Sequence, residues 1–114
     1  MAKPLVQDLA NVSVIEGQTV SLSCMAAGDA LPHFVFYKWT NKSSLQEVDQ
    51  LKDMKGRISV RTDSAQKKTD FFKHYLTIYN TTLADAGRYT CAVGNSKGMV
   101  KKDAFLSVTL TSRK

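Results

Sequence analysis

The chain has 114 residues, a mass of 12.6 kDa, 43% hydrophobic residues and a formal net charge of +6. This length and composition are those of one globular domain, which excludes a two-lobed enzyme and argues against a disordered or low-complexity chain. The isoelectric point near 9.4 permits an acidic partner but does not require one. No apolar run approaches the roughly 20 residues of a membrane helix, so we expect a single domain over residues 1–114 that does not insert into a membrane.

Apolar and polar residues alternate along most of the chain, which is the period of a β-strand with one buried face. In chain order, the residues predicted to face inward are Val12 and Val14; Val20, Leu22 and Cys24; Val35, Tyr37 and Trp39; Ile58 and Val60; Leu76 and Ile78; Tyr89, Cys91 and Val93; and Ala104, Leu106 and Val108. Turn residues separate these short segments. Regularly spaced short strands predict an all-β antiparallel sandwich or barrel.

The segment from Ser43 to Met54 is harder to interpret. Leu45, Val48, Leu51 and Met54 recur at every third position, which one face of a helix would allow. A connector with a short strand near Glu47 and Val48 is the alternative. We favour the connector.

The chain has two cysteines, Cys24 and Cys91, which lie far apart in the sequence. Together with the isolated His33 and His74, they do not match the spacing of a zinc site. A disulfide is the simplest interpretation, and closing a loop of this length stabilises a domain by on the order of 4 kcal/mol. Such a bond persists outside the reducing cytosol. Two buried thiols in a cytosolic protein are the alternative.

Three N-x-S/T sequons begin at Asn11, Asn41 and Asn80. Each falls at a predicted turn or strand edge, where an attached glycan has room. We therefore expect these asparagines to be glycosylation sites, and they favour a secreted or cell-surface origin over a cytosolic one.

Three features occur in the order typical of one fold: Cys24, then Trp39, then the segment Asp85-Ala86-Gly87-Arg88-Tyr89-Thr90-Cys91, which reads D-x-G-x-Y-x-C. Over essentially the whole chain this pattern resembles the immunoglobulin fold. The resemblance implies two antiparallel sheets with Greek-key connections, a Cys24–Cys91 disulfide between them, and Trp39 packed on that disulfide. It also implies a hydrogen bond from the Tyr89 hydroxyl to nearby backbone and an Arg57–Asp85 ion pair. The alternation of β-strand residues places Leu76 in the core.

Residues 12–24 resemble the opening of I-set domains of cell-surface proteins. Residues 84–98 are similar to the third immunoglobulin domain of fibroblast growth factor receptors, and neuregulin-like and basigin-like proteins share the same skeleton. This sequence departs from those receptors over residues 41–70 and at Arg88, where they usually have an acidic residue.

The resemblance implies a non-catalytic recognition module excised from a larger cell-surface receptor or adhesion molecule. That module would be secreted or lie on the extracellular side of the plasma membrane. An intracellular I-set domain of a muscle or cytoskeletal scaffold is the alternative. The sequence contains no nucleophile elbow, zinc-protease helix, dinucleotide-binding loop or P-loop, so we expect no enzymatic activity, metal or cofactor.

Two surfaces are candidates for binding. If Val35, Tyr37 and Trp39 point inward, the residues that alternate with them point outward. Together with two residues of later strands they would form an exposed face: Phe34, Phe36, Lys38, Arg88 and Phe105. Such a face would bind a protein ligand or a second copy of the chain. Burial of Phe34 and Phe36 under the following segment is the alternative.

The second surface is basic and would attract heparan sulfate: Lys52, Lys55, Arg61, Lys67 and Lys68. A solvated surface is the alternative, because aspartates interrupt the cluster. Nucleic acid is not expected, since no aromatic stacking platform is interleaved with the charges.

Overall fold

The computed structural model describes residues 5–6, 10–27, 33–64, 71–95 and 98–110. The strands in these ranges are β1 (Leu5–Val6), β2 (Val12–Ile15), β3 (Val20–Ala27), β4 (His33–Trp39), β5 (Leu45–Glu47), β6 (Ile58–Ser64), β7 (Phe71–Ile78), β8 (Gly87–Asn95) and β9 (Gly98–Thr109). Short 3-10 turns cover Val48–Gln50, Lys52–Met54 and Leu83–Asp85. The predicted all-β class is confirmed.

The strands form two layered sheets. One has four strands in the order β1-β3-β7-β6, and the other has five in the order β2-β9-β8-β4-β5. Strands β3 and β4, β5 and β6, and β7 and β8 each lie in different sheets, so the chain crosses repeatedly between layers, as in a Greek-key sandwich. The pairing is antiparallel except between β2 and β9, which run parallel with Val12 opposite Leu106.

The core lies between the two sheets and follows the alternation of the sequence. Leu22 on β3 faces Leu76 on β7 in one sheet, and Tyr89 on β8 faces Ala104 on β9 in the other. All four are buried. For β3, β7, β8 and β9, the predicted inward faces are therefore the observed ones.

Strand β4 presents the opposite face to the predicted one. Phe36 is 2% exposed, lies across from Cys91, and belongs to the core that contains the disulfide. Phe34 packs against the same core. Trp39 is half-buried on the outer surface of the five-stranded sheet, so the prediction that Trp39 packs on the disulfide is wrong, and Phe36 takes that place.

The exposed aromatic face predicted from the same strand is wrong for the same reason. Phe34, Phe36 and Lys38 all point to the inner side, because their partners across β4 and β8 are the inward residues of β8. Lys38 is at the edge of the sandwich, where its ammonium group lies 5.8 Å from the centre of the Tyr89 ring. Only Arg88 and Phe105 of the predicted face are on the outer surface.

The segment after β5 is a connector, as favoured above. Its side chains Val48 and Met54 are buried and Leu51 packs against the core. A 3-10 turn has three residues per turn, so the spacing of three in the sequence reflects two such turns and not an α-helix. The described residues contain no helical segment with the length and hydrophobicity of a membrane span.

Candidate functional site

A disulfide between Cys24 and Cys91 joins β3 to β8 across the interior, with the two Cα atoms 6.4 Å apart. Both cysteines are fully buried. This confirms the disulfide between the sheets that the sequence predicted, and it holds the two layers together at their centre.

The side chain of His74 lies beside this disulfide, because His74 is directly across from Cys24 in the β3–β7 pair. Its ring stacks on Phe34 and Phe36, with centroid separations of 4.8 and 5.4 Å. Its Nδ1 is hydrogen-bonded to the Thr62 hydroxyl. No role was predicted for His74, although its position two residues before Leu76 marks it as an inward residue.

The buried position of His74 makes the neutral imidazole the stable form. Burial, together with the charge of nearby His33, lowers the pKa of His74 from 6.5 to about 4. At neutral pH the ring is therefore an uncharged member of the aromatic core.

One corner of the sandwich is built around Asp85, which is 1% exposed. The Arg57 guanidinium donates to both carboxylate oxygens of Asp85, at 2.9 and 3.0 Å. The same group also donates to the backbone carbonyls of Tyr79 and Asn80. The Tyr89 hydroxyl donates to the backbone carbonyl of Asp85. Three chain segments therefore meet at one ion pair.

The environment of Asp85 favours its charged form. Burial alone would raise the pKa of this carboxyl, but hydrogen bonds from Arg57 and from the Thr82 backbone N–H outweigh burial and hold the pKa below its usual value. Burial, reinforced by the charge of Asp85, raises the pKa of Tyr89. Both groups therefore keep one protonation state at neutral pH.

Four side chains on the outer face of the five-stranded sheet form a connected network of polar contacts. The Trp39 indole N–H donates to the Thr90 hydroxyl at 2.8 Å, and Thr90 donates to the Asp103 carboxylate at 2.6 Å. Arg88 donates to the other oxygen of Asp103, and its guanidinium lies 4.1 Å from the centre of the Trp39 ring. Such a cation over an aromatic face is attractive. The contacts give Trp39 and Arg88 one fixed geometry.

An open cavity of about 420 Å³ lies next to this set of contacts. It is lined by Trp39, Thr40, Asn41, Lys42, Arg88 and Phe105. The Phe105 side chain is 52% exposed. Burial would raise the pKa of Asp103, but hydrogen bonds from Thr90 and Arg88 lower it overall, so the carboxylate that neutralises Arg88 stays ionised. We refer to the cavity lined by the six residues named above as the Trp39 cavity.

The three sequon asparagines are all exposed. Asn11 accepts a hydrogen bond from the Phe105 backbone N–H at 2.9 Å. Asn41 accepts one from the Ser43 backbone N–H at 2.8 Å, in the turn between β4 and β5. Asn80 follows β7 and has a positive φ of 53°, a conformation that asparagine tolerates better than most residues.

The described residues of the predicted basic cluster lie on two different segments of the chain. Lys52 and Lys55 are exposed on the connector after β5. Arg61 is on the outer face of the four-stranded sheet, with its guanidinium 5.2 Å from the centre of the Tyr75 ring. Lys67 and Lys68 lie outside the described residues. Where the structure describes the chain, no group of three or more His, Cys, Asp or Glu side chains is arranged to hold a metal ion.

Comparison with known proteins identifies the family. Residues 3–108 match the immunoglobulin I-set domain. Inactive tyrosine-protein kinase 7 of Gallus gallus is 31% identical over 96 residues, which is 84% of this chain and 8% of that protein. Hemicentin-1 of Homo sapiens is 36% identical over 98 residues, which is 86% of this chain and 1% of that protein. A fibroblast growth factor receptor of Halocynthia roretzi is 30% identical over 98 residues, 86% of this chain and 12% of the receptor.

Solved structures show the same fold. One chain of a complex between titin M10 and the obscurin-like 1 immunoglobulin domain superposes with a TM-score of 0.74 at 23% identity. The superposition covers 99% of this chain and all of that chain. Titin M3 superposes with a TM-score of 0.68 at 24% identity, covering 96% and 99%. The chain spans only 1–12% of the length of the five relatives compared. The chain therefore belongs to the immunoglobulin I-set family, in agreement with its two layered sheets and its central disulfide.

Proposed function

We propose that the domain is a non-catalytic, extracellular recognition module of a cell-surface receptor or adhesion protein. The observation that carries this proposal is the buried Cys24–Cys91 disulfide, because such bonds form and persist in oxidising compartments. Its relatives include fibroblast growth factor receptors of Halocynthia roretzi and Ciona intestinalis. The exposure of Asn11, Asn41 and Asn80 supports the same compartment, since each sequon can accept a glycan without displacing the core.

The fold favours recognition by a rigid surface. The disulfide and the Arg57–Asp85 corner fix the two sheets relative to one another, so little conformational entropy is lost when a partner docks. The outer face of the five-stranded sheet has exposed apolar side chains toward both ends of β9, Met99 at 52% and Phe105 at 52%. We propose this face as the surface that meets a protein partner.

The compartment is tested by intact mass of the protein expressed with a secretion signal in animal cells. We expect a two-proton increase on reduction and a mass excess that an N-glycosidase removes. A chain that reaches the medium with two thiols and no glycan would instead support the intracellular scaffold alternative. Mass spectrometry of the cytosolically expressed chain is the matched control for spontaneous oxidation.

The proposed surface is tested through self-association, which needs no identified ligand. Sedimentation at rising concentration compares the wild-type protein with Met99→Asp, which places a charge in the exposed face. Concentration-dependent association that Met99→Asp abolishes supports pairing of two copies through this face. Association that the variant leaves unchanged would exclude the face as the site of pairing, and a protein that stays monomeric would exclude a second copy as the partner.

A further inference from the structure

We propose that Asn41 carries an N-linked glycan whose first sugars pack into the Trp39 cavity, against Phe105 and the accessible part of Trp39. This rests on the proposed function, because N-glycosylation requires passage through the secretory pathway. It adds a specific protein–sugar contact that the sequon alone does not imply.

The turn that holds Asn41 presents the correct atom. The Thr40 backbone N–H donates to the Ser44 carbonyl at 2.8 Å and closes the turn between β4 and β5. Within that turn, the Asn41 carbonyl oxygen Oδ1 accepts the Ser43 N–H. Within the described residues, no hydrogen bond reaches the amide nitrogen Nδ2, which is the atom that a glycan would modify. Asn41 also lines the Trp39 cavity, two residues after Trp39 in the chain.

The chemistry of the cavity matches an uncharged sugar. A pyranose ring has a face of C–H bonds that packs well on the electron-rich face of an aromatic ring, and Phe105 offers half of its surface to solvent. Arg88 is already neutralised by Asp103, so this guanidinium does not require an anionic ligand. Lys42 also lines the cavity, and a lysine ammonium group can donate a hydrogen bond to the acetamido carbonyl of N-acetylglucosamine. The volume of about 420 Å³ is in the range of roughly 300–1,000 Å³ typical of small-molecule clefts.

The modification step involves no oxidation or reduction. A bond forms between Nδ2 of Asn41 and C1 of the first sugar. The bond between that C1 and the pyrophosphate of a lipid-linked oligosaccharide breaks, and its electron pair leaves with the lipid pyrophosphate. The amide loses one proton, which the leaving group or solvent takes up.

A glycan in this position would divide the outer face. The Trp39 and Phe105 end would be covered by sugar, whereas Met99 lies at the other end of β9, opposite Gly94. The protein partner would then approach the Met99 end. The glycan would therefore restrict the proposed partner surface to the Met99 end of the outer face, with Phe105 in contact with sugar.

The experiment uses the full chain secreted from animal cells, with only the Asn41 sequon retained. Asn11→Asp and Asn80→Asp remove the other two sequons while keeping a side-chain acceptor at position 11 and a residue tolerant of positive φ at position 80. In this background Ser43→Ala removes the last glycan and retains the backbone turn. An endoglycosidase then trims the remaining glycan to a single N-acetylglucosamine. The chain has one tryptophan, so acrylamide quenching of its fluorescence reports on Trp39 alone.

We expect the glycosylated protein to show a quenching constant about twofold lower than the Ser43→Ala protein, since sugar covers the accessible side of the indole. We also expect the acetamido methyl protons of the trimmed sugar to shift upfield by aromatic ring current. Replacing Phe105 with Ala should remove most of that upfield shift. Peptide mapping confirms occupancy of Asn41.

The outcomes separate the two proposals. A secreted, disulfide-bonded protein with Asn41 unoccupied would overturn the glycan inference and leave the proposed function standing. An occupied Asn41 with unchanged quenching and unshifted sugar protons would likewise overturn the contact alone. A protein with free thiols and no glycan would overturn the proposed function, and the inference with it.

Discussion

At the scale of single residues, the fold depends on a few polar side chains that are buried with their partners. Asp85 is almost fully buried, and its charge is matched by Arg57 and the Thr82 backbone N–H. A buried ion pair contributes little net stability compared with apolar packing, but removing one partner leaves the other charge buried without a counter-ion. The two charges therefore matter most when one of them is removed.

Arg57→Met is expected to lower the free energy of unfolding by about 3 kcal/mol, because the Asp85 carboxylate would stay buried without its cation. Urea unfolding followed by far-ultraviolet circular dichroism measures the loss. Arg61→Met is the matched control, since Arg61 is exposed on the outer face of the four-stranded sheet, and it should cost less than about 1 kcal/mol. Equal losses in the two variants would show that the Asp85 corner has no special role.

His74 should make stability depend on pH in the mildly acidic range. Its pKa is 6.5 when unfolded and about 4 in the fold, so the unfolded chain binds the proton more tightly. Stability from this residue is complete above pH 6.5 and is lost as the pH falls toward 4, by about 3 kcal/mol in total. Urea unfolding of wild type and His74→Phe across this interval isolates the effect, because the variant retains the ring stacking and every other titrating group. Parallel stability curves for the two proteins would contradict the assignment.

At the scale of elements, the orientation of one residue of β4 fixes the orientation of every other residue in that strand. Successive side chains of a strand point to opposite faces, so choosing the wrong inward residue inverts the entire strand. Both faces of β4 are rich in aromatic residues, so hydrophobicity alone does not show which face is buried. Hydrogen-bonding groups distinguish the two faces. Trp39 has an indole N–H that donates to Thr90 on the outer face, whereas Phe36 has no polar side-chain group that would need a partner in the core.

The assignment of the two faces predicts unequal costs of truncation. Phe36→Ala should destabilise the domain by about 3–5 kcal/mol, as loss of a fully buried aromatic ring does. Trp39→Ala, on the outer face, should cost roughly 1–2 kcal/mol, because it loses one cation–π contact and one hydrogen bond. Chemical denaturation of both variants gives the comparison. If Trp39→Ala proved the more damaging, the inward face of β4 would have been assigned wrongly.

At the scale of the whole molecule, two sheets of four and five strands are joined at their centre by one covalent bond. Its cysteines are 67 positions apart in the sequence, so the bond removes much of the conformational freedom of the unfolded chain. The Arg57–Asp85 ion pair adds a second contact between distant segments, and the parallel pairing of β2 with β9 completes the five-stranded sheet.

Replacing both cysteines by Val or Ala should lower the free energy of unfolding by on the order of 4 kcal/mol, mainly through the unfolded state. Thermal and urea unfolding of Cys24→Ala/Cys91→Val measure the loss. Reduced wild-type protein is the control, because it loses the bond while keeping both sulfur atoms in the core. A double variant as stable as the oxidised protein would show that packing alone holds the layers together.

The sequence by itself determined the class and the inward faces of β3, β7, β8 and β9, because period-two alternation is a local pattern. The disulfide between the sheets was implied by the resemblance that the D-x-G-x-Y-x-C segment carries. The sequence also placed Arg88 and Phe105 on the outside. Only the tertiary structure decided which face of β4 is buried and that His74 belongs to the core. Those outcomes depend on which residues lie opposite one another across neighbouring strands. That register is set by contacts between segments distant in the chain.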